Sequence, residues 1–201
     1  MFVRRESFKE YTRLYPVTTG IIAINIVMML VLELYGSSTD VYTLLRFGAM
    51  FGLEGYEPEW WRYFTAMWLH IGWTHLLFNC FGLLVFTAPL ERMLGSMRYA
   101  AYYVFCGVVG SAVSSLLHQD EYIGAGASGA IYGVYAAYLY IAVFHKEFMD
   151  YSSRKTIQII VAIGFVHSLI VQGVDLWAHL GGFLAGVAAT WLIISWNKHR
   201  R

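Results

Sequence analysis

Charge is scarce in this chain. Of its 201 residues only 13% are Asp, Glu, Lys or Arg, whereas 58% are hydrophobic and the mean hydropathy is +0.53. A soluble domain of this size has no use for so much apolar surface, so the composition excludes one and indicates a membrane protein. Cysteine is nearly missing: Cys80 and Cys106 both fall inside apolar stretches, which excludes a disulfide framework. The chain lacks an internal repeat and a low-complexity linker, so residues 1–201 read as one domain. The basic start is not followed by a small-residue cleavage pattern, and the first apolar stretch reads as a retained anchor. There is no H-E-x-x-H zinc motif and no pair of aspartates in facing apolar stretches, which excludes two kinds of membrane protease and leaves no expected metal or cofactor. Missing repeat symmetry and the low polarity of the inward halves also argue against a transporter.

What is present is a series of apolar runs of the length a helix needs to cross about 30 Å of hydrocarbon. Six are expected, at approximately 17–35, 71–90, 97–117, 123–144, 156–173 and 174–195, making an all-α polytopic membrane protein. Arg4, Arg5, Lys9 and Arg13 precede the first; Arg92 and Arg98 follow the second; Lys146, Arg154 and Lys155 follow the fourth; Lys198, Arg200 and Arg201 close the chain. If six spans alternate, all of these fall on one side, and the positive-inside rule makes both termini cytoplasmic. Topology thus accounts for the basic residues, and the net charge of +1 carries no signal for a nucleic-acid partner. The segment 36–70 is then a long outer loop. Its "VYTLLRFGAMFGL" is amphipathic and its "YEPEWWRYFTAMW" is rich in the aromatics of the headgroup belt, so it is expected to lie in the interface.

Depth then sorts the polar residues inside the spans. Spans two, four and six run from outside to inside, and a helix rises about 1.5 Å per residue. Ser128 is some five residues into span four, His179 some five into span six, and His75 and Asn79 about four and eight into span two, all within about 6–12 Å of the outer surface. Taken singly, such a serine ordinarily bonds a neighbouring helix or its own backbone, such a histidine is a packing residue, and an asparagine is interhelical glue. Ionisable groups at membrane depth are nevertheless functional candidates, and here three helices deliver theirs to one layer.

Glycines explain how these groups would meet. Gly129 and Gly133 form one small-xxx-small pair, and Gly182 and Gly186, in "GFLAG", form another. Packing spans four and six through these pairs brings Ser128 within reach of His179, while Gly126 and Ala127 leave room above the serine for a bulky carbonyl. The chemistry that follows is a serine nucleophile with a neutral histidine as its base. The oxyanion donors would be the Ser128 amide near a helix N-terminus, with His75 and Asn79 on one helical face. No carboxylate lies at matching depth, so a Ser–His dyad is expected, with Tyr132, one turn below Ser128, either stacking on the His179 ring in place of an orienting acid or simply packing. A haem protein with His75 and His179 as axial ligands is the alternative, but it leaves Ser128, Asn79 and the glycine pairs without a purpose.

"HIGWTHLLFN", "GASGAIYG" and "AHLGGFLAG" resemble the three signature motifs of the rhomboid intramembrane serine proteases, and "WR" at Trp61–Arg62 and "ERMLGS" at Glu91–Ser96 are similar to that family's outer-loop and span-three motifs. The resemblance implies a six-helix bundle in which Ser128 attacks a peptide bond, His179 is the base, and His75, Asn79 and the Ser128 amide hold the oxyanion. It implies as substrates membrane proteins with a single transmembrane segment, cut near a small residue where the helix unwinds easily. It also implies lateral entry past Phe78 and the fifth span with its "VQGVD" loop. The bulky outer end of that span, "FVHSLIVQG", has no complete small-residue pair, and Val171 is its expected gate contact. The expected location is a prokaryotic plasma membrane, with the site opening to the outer face and the lipid bilayer as the protein's surroundings.

Overall fold

The computed structural model describes Phe2 and residues 6–199. A short helix, α1 (Phe8–Leu14), starts at a capping box in which Ser7 and Glu10 satisfy each other's backbone amides. The next helix, α2 (Pro16–Tyr35), has proline in its first turn, where the missing N–H costs nothing. Its free amides at Val17 and Thr18 donate to the Glu91 carboxylate at 3.0 and 2.8 Å, and the Ser96 hydroxyl donates to the same group at 2.7 Å. Glu91 is only 1% exposed. A buried carboxylate is tolerated there because three donors and a helix N-terminus surround it.

Segment 36–70 is not one open loop. It holds α3 (Val41–Arg46), β1 (Met50–Gly52), α4 (Arg62–Thr65) and a 3-10 turn at Ala66–Trp68. Asp40 caps α3, and the hydroxyl and amide of Thr43 hold its carboxyl below the usual carboxylate range. The Arg62 guanidinium donates to the Leu45 and Ala49 carbonyls at 2.7 and 2.9 Å, pairs with Glu59, and lies over the Trp61 ring.

The long helices follow. α5 (Gly72–Gly82) passes through a π-helical turn at Leu83–Thr87 into α6 (Ala88–Leu94), and then come α7 (Ser96–Leu117), β2 (Tyr122–Gly124), α8 (Ser128–Phe144), α9 (Tyr151–Ile170) and α10 (Leu176–His199). β1 and β2 form a two-stranded antiparallel ribbon, Met50 opposite Gly124. Among the described residues four stretches, Pro16–Tyr35, Gly72–Leu94, Ser96–Leu117 and Leu176–Asn197, are long and apolar enough to cross a membrane. α8 is apolar but has 17 residues. α9 has 20 residues, its first turns carrying Ser152, Ser153, Arg154 and Lys155.

Two span boundaries need correction. The run 123–144 begins its helix only at Ser128, because Tyr122–Gly124 pairs with β1 and Gly126 leaves helical geometry. The run 156–173 becomes Tyr151–Ile170, because Asp150 caps the helix five residues earlier than hydropathy indicates. Its carboxylate accepts from the Ser153 hydroxyl and amide, and both bonds hold its carboxyl well below the usual range. Of the basic residues used for topology, Arg4, Arg5, Arg200, Arg201 and the Lys198 side chain lie outside the described residues.

The core is built around α8, which is packed by α7 and α10. The seam with α10 is glycine on glycine. A Cβ at Gly182 would overlap the Gly129 carbonyl, one at Gly186 would overlap the Gly133 carbonyl, and one at Gly110 of α7 would stand 2.8 Å from the Ala178 carbonyl oxygen. Below, the Tyr102 hydroxyl of α7 ties both helices, 2.7 Å from the Gly133 oxygen and 3.0 Å from that of Gly186.

Gly182→Ala therefore forces backbones apart and is expected to destabilise the protein by about 1–3 kcal/mol or more. Gly20→Ala, in a helix position with nothing within 4 Å of the added Cβ, is expected to be neutral or slightly stabilising. Thermal unfolding of the two variants in one detergent checks both; equal effects would mean that the seam is not tight.

Candidate active site

Three helix beginnings converge. Ser128 is the first residue of α8, and His179 lies in the first turn of α10, as His75 does in that of α5. The approach to Ser128 is fixed by Gly126, whose amide donates to the Ala66 carbonyl at 3.0 Å and whose φ of +142° lies where side-chain-bearing residues rarely sit. A Cβ at Gly126 would lie 2.8 and 2.9 Å from Cε1 and Nε2 of His75 and 3.7 Å from the Ser128 oxygen. The bare glycine thus has His75 on one side and Ser128 on the other.

Asp175 holds the turn that carries His179. Its Oδ1 accepts from the Ala178 amide at 2.8 Å, its main-chain oxygen accepts from the His179 amide at 3.2 Å, and its Oδ2 accepts from Ser114 of α7 at 2.6 Å. The His179 ring, on a residue 6% exposed, has Nε2 at 2.7 Å from Ser128 Oγ. One face of it is covered by Tyr132, with ring centroids 4.0 Å apart and planes 8° from parallel. Nδ1, on the far edge, is 2.7 Å from Ser168 Oγ of α9. Both nitrogens are engaged by serine hydroxyls.

Ser168 was not foreseen. It is one of several polar residues in a helix that hydropathy reads as a plain span, and only the three-dimensional packing of α9 onto α8 and α10 brings it to the imidazole. The Asp150–Ser153 cap that sets the start of α9 was a readable signal; the contact itself has none.

Asn79 is buried, one turn after His75, and its Nδ2 donates to the His75 carbonyl at 2.9 Å, leaving a second amide hydrogen for another acceptor. His70, just before α5, is fully buried and packs edge-on to His75. Beside Ser128 lies a cavity of ≈ 30 Å³, lined by Ser111, Ser114 and Asp175 together with Met50, Ala66 and Ala178, with room for about two water molecules. Phe78 and Val171 are exposed at 73% and 40%, Val171 being the residue that caps α9.

The sequence agrees with known proteins over most of its length. The Rhomboid domain family matches residues 57–196, and the chain belongs to the rhomboid family, a class of membrane-embedded serine peptidases. It is similar to the putative rhomboid protease YdcA of Bacillus subtilis (strain 168), 35% identical over the whole of both chains. It is 37% identical to the rhomboid protease GluP of the same organism, over 84% of this chain and 33% of GluP. With RHOMBOID-like protein 5 of Arabidopsis thaliana it shares 36% identity, over 73% of this chain and 48% of that one. It thus spans all of YdcA and between a third and a half of the other two. The match and the apolar helices make it an integral membrane protein.

Tyr132→Phe keeps the ring stack and removes the hydroxyl that lies 3.2 Å from Ser168; Tyr132→Ala removes both. The rate at which a fluorophosphonate labels Ser128 is expected to fall about two- to fivefold in the first and roughly two- to tenfold further in the second. Equal labelling of both variants and the parent would reduce Tyr132 to simple packing.

Proposed function

We propose that this chain is an intramembrane serine endopeptidase that hydrolyses peptide bonds in or near the transmembrane segment of single-span membrane proteins, using Ser128 and His179 as a dyad. The observation that carries this reading is the 2.7 Å contact between Ser128 Oγ and His179 Nε2 in a helix pair locked by glycine. His179 Nε2 takes the Ser128 proton as Oγ attacks the scissile carbonyl, and the resulting imidazolium protonates the leaving amine. The oxyanion forms beside Gly126, where the Ser128 amide, unpaired at the helix N-terminus, and the side chains of His75 and Asn79 are the available donors. A water from the cavity beside Ser128 then gives its proton to His179 and hydrolyses the acyl-enzyme.

The same reading completes the topology: α8 and α9 also cross, giving six spans with both termini cytoplasmic, in a bacterial plasma membrane with the site opening to the outer face. Supporting it are the basic residues that cluster at alternate connections and the position of Ser128, His75 and His179 in first turns at one end of the bundle. Substrates enter from the bilayer between Phe78 on α5 and the outer end of α9 at Val171; α9 packs on α8 and α10 rather than on α5.

Ser128→Ala and His179→Ala are each expected to abolish cleavage of a model transmembrane substrate, and the double variant to lose no more than either, because nucleophile and base act as a unit. Asn79→Ala and His75→Ala are expected to lose roughly ten- to a thousandfold in turnover while still reacting with a fluorophosphonate, the cost of one oxyanion donor among several. Comparable cleavage by Ser128→Ala would end the proposal, and an active His179→Ala beside a dead His75→Ala would move the base to His75.

For the gate, alanine at both Phe78 and Val171 is expected to speed cleavage of transmembrane substrates. Cysteines at those positions, in a background lacking Cys80 and Cys106, are expected to slow it reversibly on crosslinking. A crosslinked enzyme working at the uncrosslinked rate would put entry elsewhere.

A further inference from the structure

We propose that Ser168 is a positioning residue that fixes the tautomer of His179, holding the proton on Nδ1 so that Nε2 presents its lone pair to Ser128. The inference rests on the dyad reading above and assigns to a neutral hydroxyl on α9 the orienting task that a carboxylate performs in a Ser–His–Asp triad.

The hydrogen-bond ledger decides the direction of each bond. Ser168 Oγ has three neighbours: the Gly164 carbonyl oxygen at 2.8 Å, His179 Nδ1 at 2.7 Å and the Tyr132 hydroxyl at 3.2 Å. It has one proton and two lone pairs. If its proton goes to the Gly164 oxygen, which can only accept, Ser168 accepts from Nδ1–H and from Tyr132 O–H, and Ser128 donates to the bare Nε2. All of these contacts, with the 2.7 Å one at Ser128, then carry a proton. In the other tautomer Ser168 must donate to Nδ1, its contact with Gly164 carries none, and Nε2–H points at Ser128, whose own proton has lost its acceptor. The first arrangement makes one more hydrogen bond, at a site where Ser168 and His179 are 5% and 6% exposed and an unmade bond is costly.

The chemistry favours a hydroxyl here. When His179 takes the Ser128 proton it becomes a cation, and Nδ1–H⋯Oγ becomes a charge-assisted bond, stronger in the transition state than in the resting enzyme. A carboxylate would do more for the cation but would be an isolated charge buried in a membrane-embedded core during the rest of the cycle. Ser168, Gly164 and Tyr132 supply orientation without that charge.

The test uses the full-length protein in nanodiscs, with histidine ¹⁵N-labelled and the His179 signals assigned by their loss in His179→Ala. The parent is expected to show one neutral tautomer, protonated at Nδ1. Ser168→Ala is expected to show a mixture, with kcat on a transmembrane substrate falling about three- to tenfold, the scale of one hydrogen bond, and KM unchanged. Ser168→Thr, which keeps the hydroxyl, is expected to restore both. A parent protonated at Nε2, or a Ser168→Ala variant with the parent's tautomer whatever its rate, overturns the proposal, since a loss without a tautomer change is a packing effect. If instead the parent shows the Nδ1–H tautomer but Ser128 takes no fluorophosphonate, the protease reading fails and the tautomer assignment stands.

Discussion

The distance between the backbones of α8 and α10 governs everything else at this site. A serine side chain is two bonds long and cannot search for a base, so its 2.7 Å contact with an imidazole on another helix depends on how the two backbones are held. Gly129 and Gly133 facing Gly182 and Gly186 make that approach possible, and each position is so tight that an added methyl would meet main-chain atoms. In lipid there is no hydrophobic gain from pairing two apolar helices, so close van der Waals contact and shared hydrogen bonds must hold the pair. The Tyr102 hydroxyl, set between the Gly133 and Gly186 oxygens, contributes one such tie. A seam of main chain on main chain has no rotamers to relax, so it also holds the Ser128–His179 contact in place, as the proposed dyad needs.

From this seam follows the use of helix beginnings. Ser128, His75 and His179 all stand in first turns, which puts the site near one end of the bundle. On the reading proposed above, that placement reconciles hydrolysis with a membrane, because a layer near one end of the bundle leaves room for a cavity beside Ser128. Asp175 links these features, capping α10, accepting from Ser114 of α7 and lining the cavity beside Ser128.

The helices and the central pair of residues were legible because each leaves a one-dimensional trace. Apolar runs mark the long helices, and the four-residue glycine spacing marks which two approach closely. The start of α8 was not legible: Ile123 is apolar and extends the hydropathy run, although it lies in a strand paired with β1, and the bend at Gly126 looks in sequence like one more small residue. The segment 36–70 read as a loop because its elements are short and held by tertiary bonds, Arg62 reaching back to the carbonyls of Leu45 and Ala49. Ser168 escaped for a deeper reason. Its partner is eleven residues away across a helix end and a turn, and no periodicity relates a residue near the end of one helix to one at the beginning of the next.

The location of Ser168 has a consequence for how entry and chemistry are joined. α9 is outside the glycine seam; it meets its neighbours through side chains, Phe165 against Phe183 and Tyr132, and Ser168 against Tyr132 and His179. Side-chain contacts can be broken and remade without separating α8 from α10, so the yielding proposed for α9 leaves the Ser128–His179 contact in place. Ser168 lies within one turn of Val171, the residue at which α9 ends. With entry at that end and tautomer control through Ser168, both as proposed, opening for substrate removes the acceptor that orients the base, and closing restores it. The hydroxyl of Ser128 would then be most reactive only when α9 has settled back over His179, a way to keep a water-accessible nucleophile quiet until a substrate segment is in place.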